Sequence, residues 1–338
     1  MIGRIVKSGL AIGTLLLCVQ AAAAETKIKF ALDWIPGSVH APFMIAQQKG
    51  YYKAEGLDVQ IDPGKGSGEV VRQLASGLYD MGYPDINILM EFVAKNPDQG
   101  FPVVMSGYEQ APAAIFTLKS SGITEPKQLA GKKLGSAAHD STFKLFPAFA
   151  QLNGLDPNSV QVQYIEPNLR EVLLTRRDVD AIPGQFFNSY IMLKSKGVKE
   201  DEISYFMYNE HGLALYGNSI AVSRKFLKEN PDAVRGFLRA TVKGVRDMVR
   251  DPEEGVKAAL AYQPLLNADV ERERLNLALK CCIATENVLK DGYGVVDMDR
   301  LRKDIDVIAK AYNLPRAPGV EEIYNPSFLP SQQDRMVR

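Results

Sequence analysis

Three cysteines, three histidines and one tryptophan are all that the 338 residues contain of those types, and 40 Lys and Arg balance 40 Asp and Glu. Each scarcity excludes something. Three cysteines cannot staple a disulfide framework, and three histidines leave little for a multi-ligand metal site. Without a basic excess the chain lacks the electrostatic footprint by which nucleic-acid binders neutralise phosphates, so no nucleic-acid partner is expected. Long apolar runs are missing as well. The only one, near the N-terminus, falls short of the roughly 20 residues that span a bilayer. What is present, 46% apolar, 24% charged and 9% aromatic residues, is the composition of a folded chain. Its length suits two cores at roughly 150 residues per domain.

Residues 1–24 read as a secretory signal. Arg4 and Lys7 supply the charged start, residues 9–19 the apolar run, and Ala21-Ala22-Ala23-Ala24 the small-residue cleavage site before Glu25. Leu17 stands before Cys18 where a lipid-attachment motif has a small residue, so a cleaved periplasmic protein is expected rather than a lipoprotein. Cleavage takes Arg4 and Lys7 from the 40 basic residues, leaving 38 against 40 acidic ones. Cys281 and Cys282 are neighbours, and a bridge between neighbours is strained, so two thiols are expected.

Along the remainder, Ile28, Phe30 and Leu32 alternate as on a strand, and residues 42–49 read as a helix stopped by Gly50. A strand over 57–61, a glycine-rich loop over 62–68, a helix over 69–76 and a strand over 79–83 complete a first α/β unit. A second follows after Gly107: strand 132–135, helix 141–152, strand 160–165, helix 169–176 and strand 179–182. Alternation of this kind predicts parallel sheets covered by helices. The C-terminal third is helical. Asn230-Pro231 starts a helix with Val234, Leu238, Val242, Val245 and Val249 on one face and a basic row, Arg235, Arg239, Lys243, Arg246 and Arg250, that reads as solvated. Leu301, Ile305, Ile308 and Tyr312 form another apolar face, and these helices are expected on the first unit.

No nucleophile elbow, His-Glu-x-x-His, Cys-x-x-Cys or Gly-Lys-Ser phosphate loop occurs, so binding rather than catalysis is expected, with no cofactor. In a parallel α/β sheet the loops after the strands' carboxyl ends converge on a crevice where helix N-termini offer free N–H groups. Those loops, 33–40, 64–68, 83–85, 135–141 and 183–190, carry aromatic Trp34, Tyr83, Phe186, Phe187 and Tyr190. Beside these stand His40, Lys65, Ser67, Gly68, Asp85, His139, Asp140 and Asn188. The mixture suits a flat, polar small molecule. The glycines of 64–68 are equally explained by anion-binding amides and by a tight turn.

Asp33-Trp34-Ile35-Pro36, Lys49-Gly50-Tyr51-Tyr52-Lys53-Ala54-Glu55-Gly56-Leu57-Asp58-Val59, Gly66-Ser67-Gly68 and Leu74-Ala75-Ser76-Gly77 resemble the NMT1/THI5-like substrate-binding proteins of ABC transporters. Leu129-Ala130-Gly131-Lys132-Lys133-Leu134-Gly135, Val179-Asp180-Ala181 and Asn325-Pro326-Ser327-Phe328-Leu329-Pro330 extend the match. The resemblance implies an α/β fold of the periplasmic binding protein type II, two lobes closing on a ligand. Lobe I would comprise 25–108 plus 217–338 and lobe II 109–216, with hinge crossings near 106–111 and 216–219. Tyr216, at the second crossing, joins the ligand-binding candidates. A monomer would deliver its small molecule to an inner-membrane permease driven by a cytoplasmic ATPase.

Asp-Trp-x-Pro with a histidine four residues after the proline looks like the binders of thiamine pyrimidine precursors, in which the residue at Trp34 stacks on the heteroaromatic ring. Gly184-Gln185-Phe186-Phe187-Asn188-Ser189-Tyr190 resembles a loop that there reads Tyr-Trp-Asn followed by an acidic residue. Here Phe187 replaces the Trp and Tyr190 the carboxylate. Riboflavin-type ligands and sulfonate, taurine or nitrate anions stay open. A pyrimidine-synthase-like enzyme is disfavoured, because those synthases use a cysteine-rich segment.

Overall fold

A computed structural model describes residues 25–338, so the signal sequence assigned to 1–24 lies outside the described residues. Ten strands form two five-stranded sheets. The first contains β1 (Thr26–Ala31), β2 (Leu57–Asp62), β3 (Met81–Gly82), β4 (Val103–Ser106) and β10 (Ser219–Val222), in the order β2-β1-β3-β10-β4. The second contains β5 (Ala113–Leu118), β6 (Lys133–Ser136), β7 (Gln161–Tyr164), β8 (Ala181–Gln185) and β9 (Ile203–Met207), in the order β7-β6-β8-β5-β9. In the first, β1 runs parallel to β2 and β3, whereas β10 lies antiparallel between β3 and β4. In the second, β6 is parallel to β7 and β8, and β5 is antiparallel to β8 and β9. The helix-covered α/β architecture of a periplasmic binding protein is as expected, but the sheets are mixed rather than parallel, because β10 and β5 run antiparallel to their neighbours.

The chain therefore crosses between sheets twice, after β4 and before β10. The crossings are bonded to each other: the Gly107 and Tyr108 N–H groups donate to Asn218 O (both 2.8 Å), Ala111 N–H to Leu215 O (2.7 Å) and Gly217 N–H to Tyr108 O (3.0 Å).

Some local expectations need correction. The helix after β2 spans Ser67–Ala75, so Ser67 and Gly68 form its first turn rather than the loop before it. Residues 183–190 are not a loop. Pro183, Gly184 and Gln185 end β8, and helix Phe186–Ser195 begins at once. The basic row on helix Pro231–Arg250 is less free than expected: Arg239 bonds Glu55, and Arg246 and Arg250 donate to the carbonyls of Met336 and Arg338. Helix Met298–Ala311 buries Leu301, Ile305 and Ile308 against helix Ile86–Lys95 and also against helix Ser141–Leu152, which follows β6, so it serves both units.

Candidate functional site

Three of the helices that start within a few residues of a strand's carboxyl end point at one place: Ser67–Ala75 after β2, Ser141–Leu152 after β6 and Phe186–Ser195 after β8. Their N-terminal regions converge on a cavity. Asp33, Trp34, Gly66 and Ser67 line it from the first unit, and Asp140, Ser141, Arg170, Gln185 and Asn188 from the second. Of the residues expected at the site, Trp34, Ser67, Asp140 and Asn188 lie in this cavity wall.

Asp33 follows β1 and is buried, with His40 behind it. Gly37 N–H donates to His40 Nδ1 (3.3 Å), so the proton sits on Nε2, which donates to Asp33 Oδ1 (3.0 Å). Both ring nitrogens are thereby used. The glycine-rich turn closes the floor. Gly66 adopts φ +131°, and a Cβ there would stand 2.2 Å from His139 O, so only glycine fits. Its N–H donates to Asp33 O (2.7 Å), Gly64 N–H to Trp34 O (3.2 Å) and Gly68 N–H to His139 O (3.2 Å). These amides are bound to carbonyls and are not available to an anion.

The opposite wall is built on Arg170, a residue that sequence reasoning passed over. It is only 1% exposed. Nη1 donates to Asp140 Oδ2 (2.7 Å), Nε and Nη2 to Glu171 Oε1 (3.0 and 2.8 Å), and Nη2 also to Ser189 Oγ (2.9 Å). Ser189 Oγ in turn donates to Glu171 Oε1 (2.8 Å). Gly184 packs against this cluster, where an added Cβ would stand 2.1 Å from Ser189 Oγ and 3.1 Å from Arg170 Cζ. Burial pulls the Arg170 pKa down, but the Glu171 and Asp140 carboxylates outweigh it and hold the group above the ordinary arginine value. Burial likewise raises the Asp140 carboxyl, an effect that Arg170 partly offsets. Arg170 Cζ lies over the Trp34 ring, 5.3 Å from its centroid. The signal that would have pointed to it went unused: a cation at the first position of helix Arg170–Thr175 opposes the helix dipole and is held by carboxylates.

Asp85 lies one layer back. Its N–H donates to Ser67 Oγ (3.0 Å), and Oδ1 caps helix Ile86–Lys95 by accepting from Asn87 N (2.9 Å). Lys65 and His139 line a separate outer groove with Tyr164 and Glu166. There Arg72 Nη2 donates to His139 Nε2 (3.1 Å), and burial, with help from Arg72, lowers the His139 pKa. Tyr83 and Phe187 are core residues, each set edge-on to Tyr108. Phe186 stacks on Tyr190 and on Phe116, away from the cavity lining. Tyr216 is buried at the second crossing, its hydroxyl accepting from Asp297 N (2.9 Å) beneath Arg300.

Residues 38–255, well over half of the chain, match the NMT1/THI5-like family. The chain belongs to that family. Within it, the chain is similar to a 4-amino-5-hydroxymethyl-2-methylpyrimidine phosphate synthase of Saccharomyces cerevisiae, 29% identical over 258 residues that cover 72% of this chain and 73% of the relative. It is similar to the riboflavin-binding protein RibY of Chloroflexus aurantiacus, 26% over 313 residues, 90% of this chain and 86% of the relative. A third relative is the formylaminopyrimidine-binding protein of Halalkalibacterium halodurans, 26% over 268 residues, 76% and 78%. The alkanesulfonate-binding protein SsuA from Xanthomonas axonopodis pv. citri, bound to MOPS, superposes with a TM-score of 0.69 at 16% identity, covering 90% of this chain and 100% of that one. The nitrate-binding protein NrtA from Synechocystis gives 0.67 at 12% identity, covering 90% and 87%. At these identities the structures share the periplasmic-binding-protein fold with the family member described here.

Proposed function

We propose that this chain is the solute-binding component of an ABC importer, exported to the periplasm, that captures a small flat nitrogen heterocycle of the thiamine-pyrimidine-precursor type. It delivers the ligand to an inner-membrane permease driven by a cytoplasmic ATPase. Residues 25–108 with 217–338 form one lobe and 109–216 the other, and the ligand sits between them. The observation that carries this reading is the half-buried indole of Trp34, facing a cavity walled by both units among Asp33, Asp140, Gln185 and Asn188. An aromatic face with acceptors and amides around it matches a ring bearing N–H groups.

Charge argues against a sulfonate, taurine or nitrate ligand. Asp33 and Asp140 face the cavity, its one cationic side chain is already paired with carboxylates, and the glycine amides are taken. The names of the pyrimidine- and riboflavin-binding relatives support a flat heterocycle, and those of the synthases raise catalysis. Binding is the better reading, because Ser67 Oγ accepts from Asp85 N rather than facing a base, and His40 has no free ring nitrogen. Cys282 is buried in the first core, with Sγ against Ala278 O.

Trp34 is the chain's only tryptophan, so its fluorescence reports the site. Titration of purified protein with aminopyrimidines should change that emission. Saturation at 100 times Kd should stabilise the fold by about 2.7 kcal/mol. Silence across aminopyrimidines and flavins, with a response to taurine or nitrate, would reject the heterocycle. Turnover of a bound pyrimidine would reject pure binding.

A further inference from the structure

Within the reading just proposed, Arg170 has an unassigned role. A guanidinium carries five N–H groups, all in its plane. Four are engaged, by Asp140, Glu171 and Ser189, which leaves one N–H of Nη1 along the edge. Two carboxylates against one guanidinium make this cluster a poor anion receptor. An arginine whose edge is consumed by protein acceptors still offers its π-surface, and guanidinium planes stack on aromatic rings. Arg170 Cζ lies over the Trp34 ring, and the two residues come from opposite walls of the cavity.

We propose that Trp34 and Arg170 are the two jaws of a slot, and that the ligand's ring enters between indole and guanidinium, so that Arg170 selects a flat ring while the carboxylates around it reject anions. The present separation of 5.3 Å is too small for an intervening ring. Two stacked contacts at roughly 3.5–4 Å each need about 7–8 Å. The slot must therefore widen by roughly 2 Å, and the bonded crossings at 107–111 and 215–218 are where the two walls connect. The ring then becomes the wedge on which both walls close. A tetrahedral sulfonate offers no flat face to stack, and sulfonate and nitrate alike meet the Asp33 and Asp140 carboxylates that line the cavity.

The test uses calorimetry with 4-amino-2-methylpyrimidine, riboflavin, taurine and nitrate on wild type, Trp34→Ala, Arg170→Lys and the double variant. Lysine keeps a cation between Asp140 and Glu171 but has no plane. Expected is a loss of tenfold or more in heterocycle affinity for Arg170→Lys, non-additive with Trp34→Ala, and no gain or loss for the anions. A second measurement needs no variant: on saturating wild-type protein with the heterocycle it binds, the Arg170 Nε–H resonance should move upfield from the ring current. If wild type binds a heterocycle while Arg170→Lys binds it within twofold and the Nε–H resonance stays put, the slot is wrong and the solute reading stands. Wild type that binds only taurine or nitrate overturns both.

Discussion

Asp85 is buried where helix Ile86–Lys95 begins, and burial pushes its carboxyl up to about 7 against the stabilising bonds from Asn87, with Asp33 and Asp140 adding to the rise. The sign of its pH effect follows. A native pKa above the unfolded value means that the contribution to stability is complete below about pH 4 and disappears as pH rises through 7. Asp85→Asn keeps the acceptor for the Asn87 N–H and cannot ionise. Its melting temperature should therefore exceed that of wild type at pH 8, and the gap should shrink toward pH 5. Parallel melting curves across that range would falsify this account. At this scale Trp34 was legible, as a lone tryptophan in a turn after a strand, whereas Arg170 was not. An arginine at the head of a short helix reads as solvated, and what buries it is Asp140, thirty residues away and on another element.

Helix Ser141–Leu152 was legible to the residue, because Asp140 is a good N-cap and an apolar face follows. Asp140 serves the helix through Phe143 N (3.0 Å) and serves the site through Arg170, so one side chain ties the element to the cavity wall. Asp140→Ala should cost about 3–5 kcal/mol in denaturant unfolding, because it leaves a buried guanidinium short of one carboxylate. A loss near 1 kcal/mol would mean that only the cap counts. Other elements gave weaker signals. Strand β5, between β8 and β9, opens on an unbroken apolar run, Ala113-Ala114-Ile115-Phe116, and an unbroken run has no period by which to tell strand from helix. Residues 183–190 read as a loop because Pro183 and Gly184 look like turn formers. Gly184 is there instead because Ser189 Oγ, with the Arg170 guanidinium beside it, stands where a side chain would go.

Across the whole molecule, contacts between the units stand on both sides of the cavity. On one side His139 takes Gly68 N–H and Arg72. On the other, helix Ala268–Ala278 reaches helix Phe186–Ser195 through Arg274 to Met192 Sδ (3.1 Å) and through the Lys194–Glu273 pair. Of these contacts, Lys194–Glu273 is a partly exposed ion pair and contributes about 0–1 kcal/mol. If the units hinge as proposed, X-ray scattering should show a radius of gyration that differs between protein saturated with its heterocycle and protein stripped of ligand. Identical profiles would count against hinge closure. The α/β class, the alternating elements and the position of Trp34 were determined by the sequence alone, because periodicity, capping and turn chemistry are local. Tertiary structure decided that β10 inserts between β3 and β4 from far along the chain, that a C-terminal helix serves both units, and which polar side chains share a cavity. It decided these because pairing across distant segments follows from which apolar faces and buried charges can be satisfied together, and no stretch of sequence carries that information by itself.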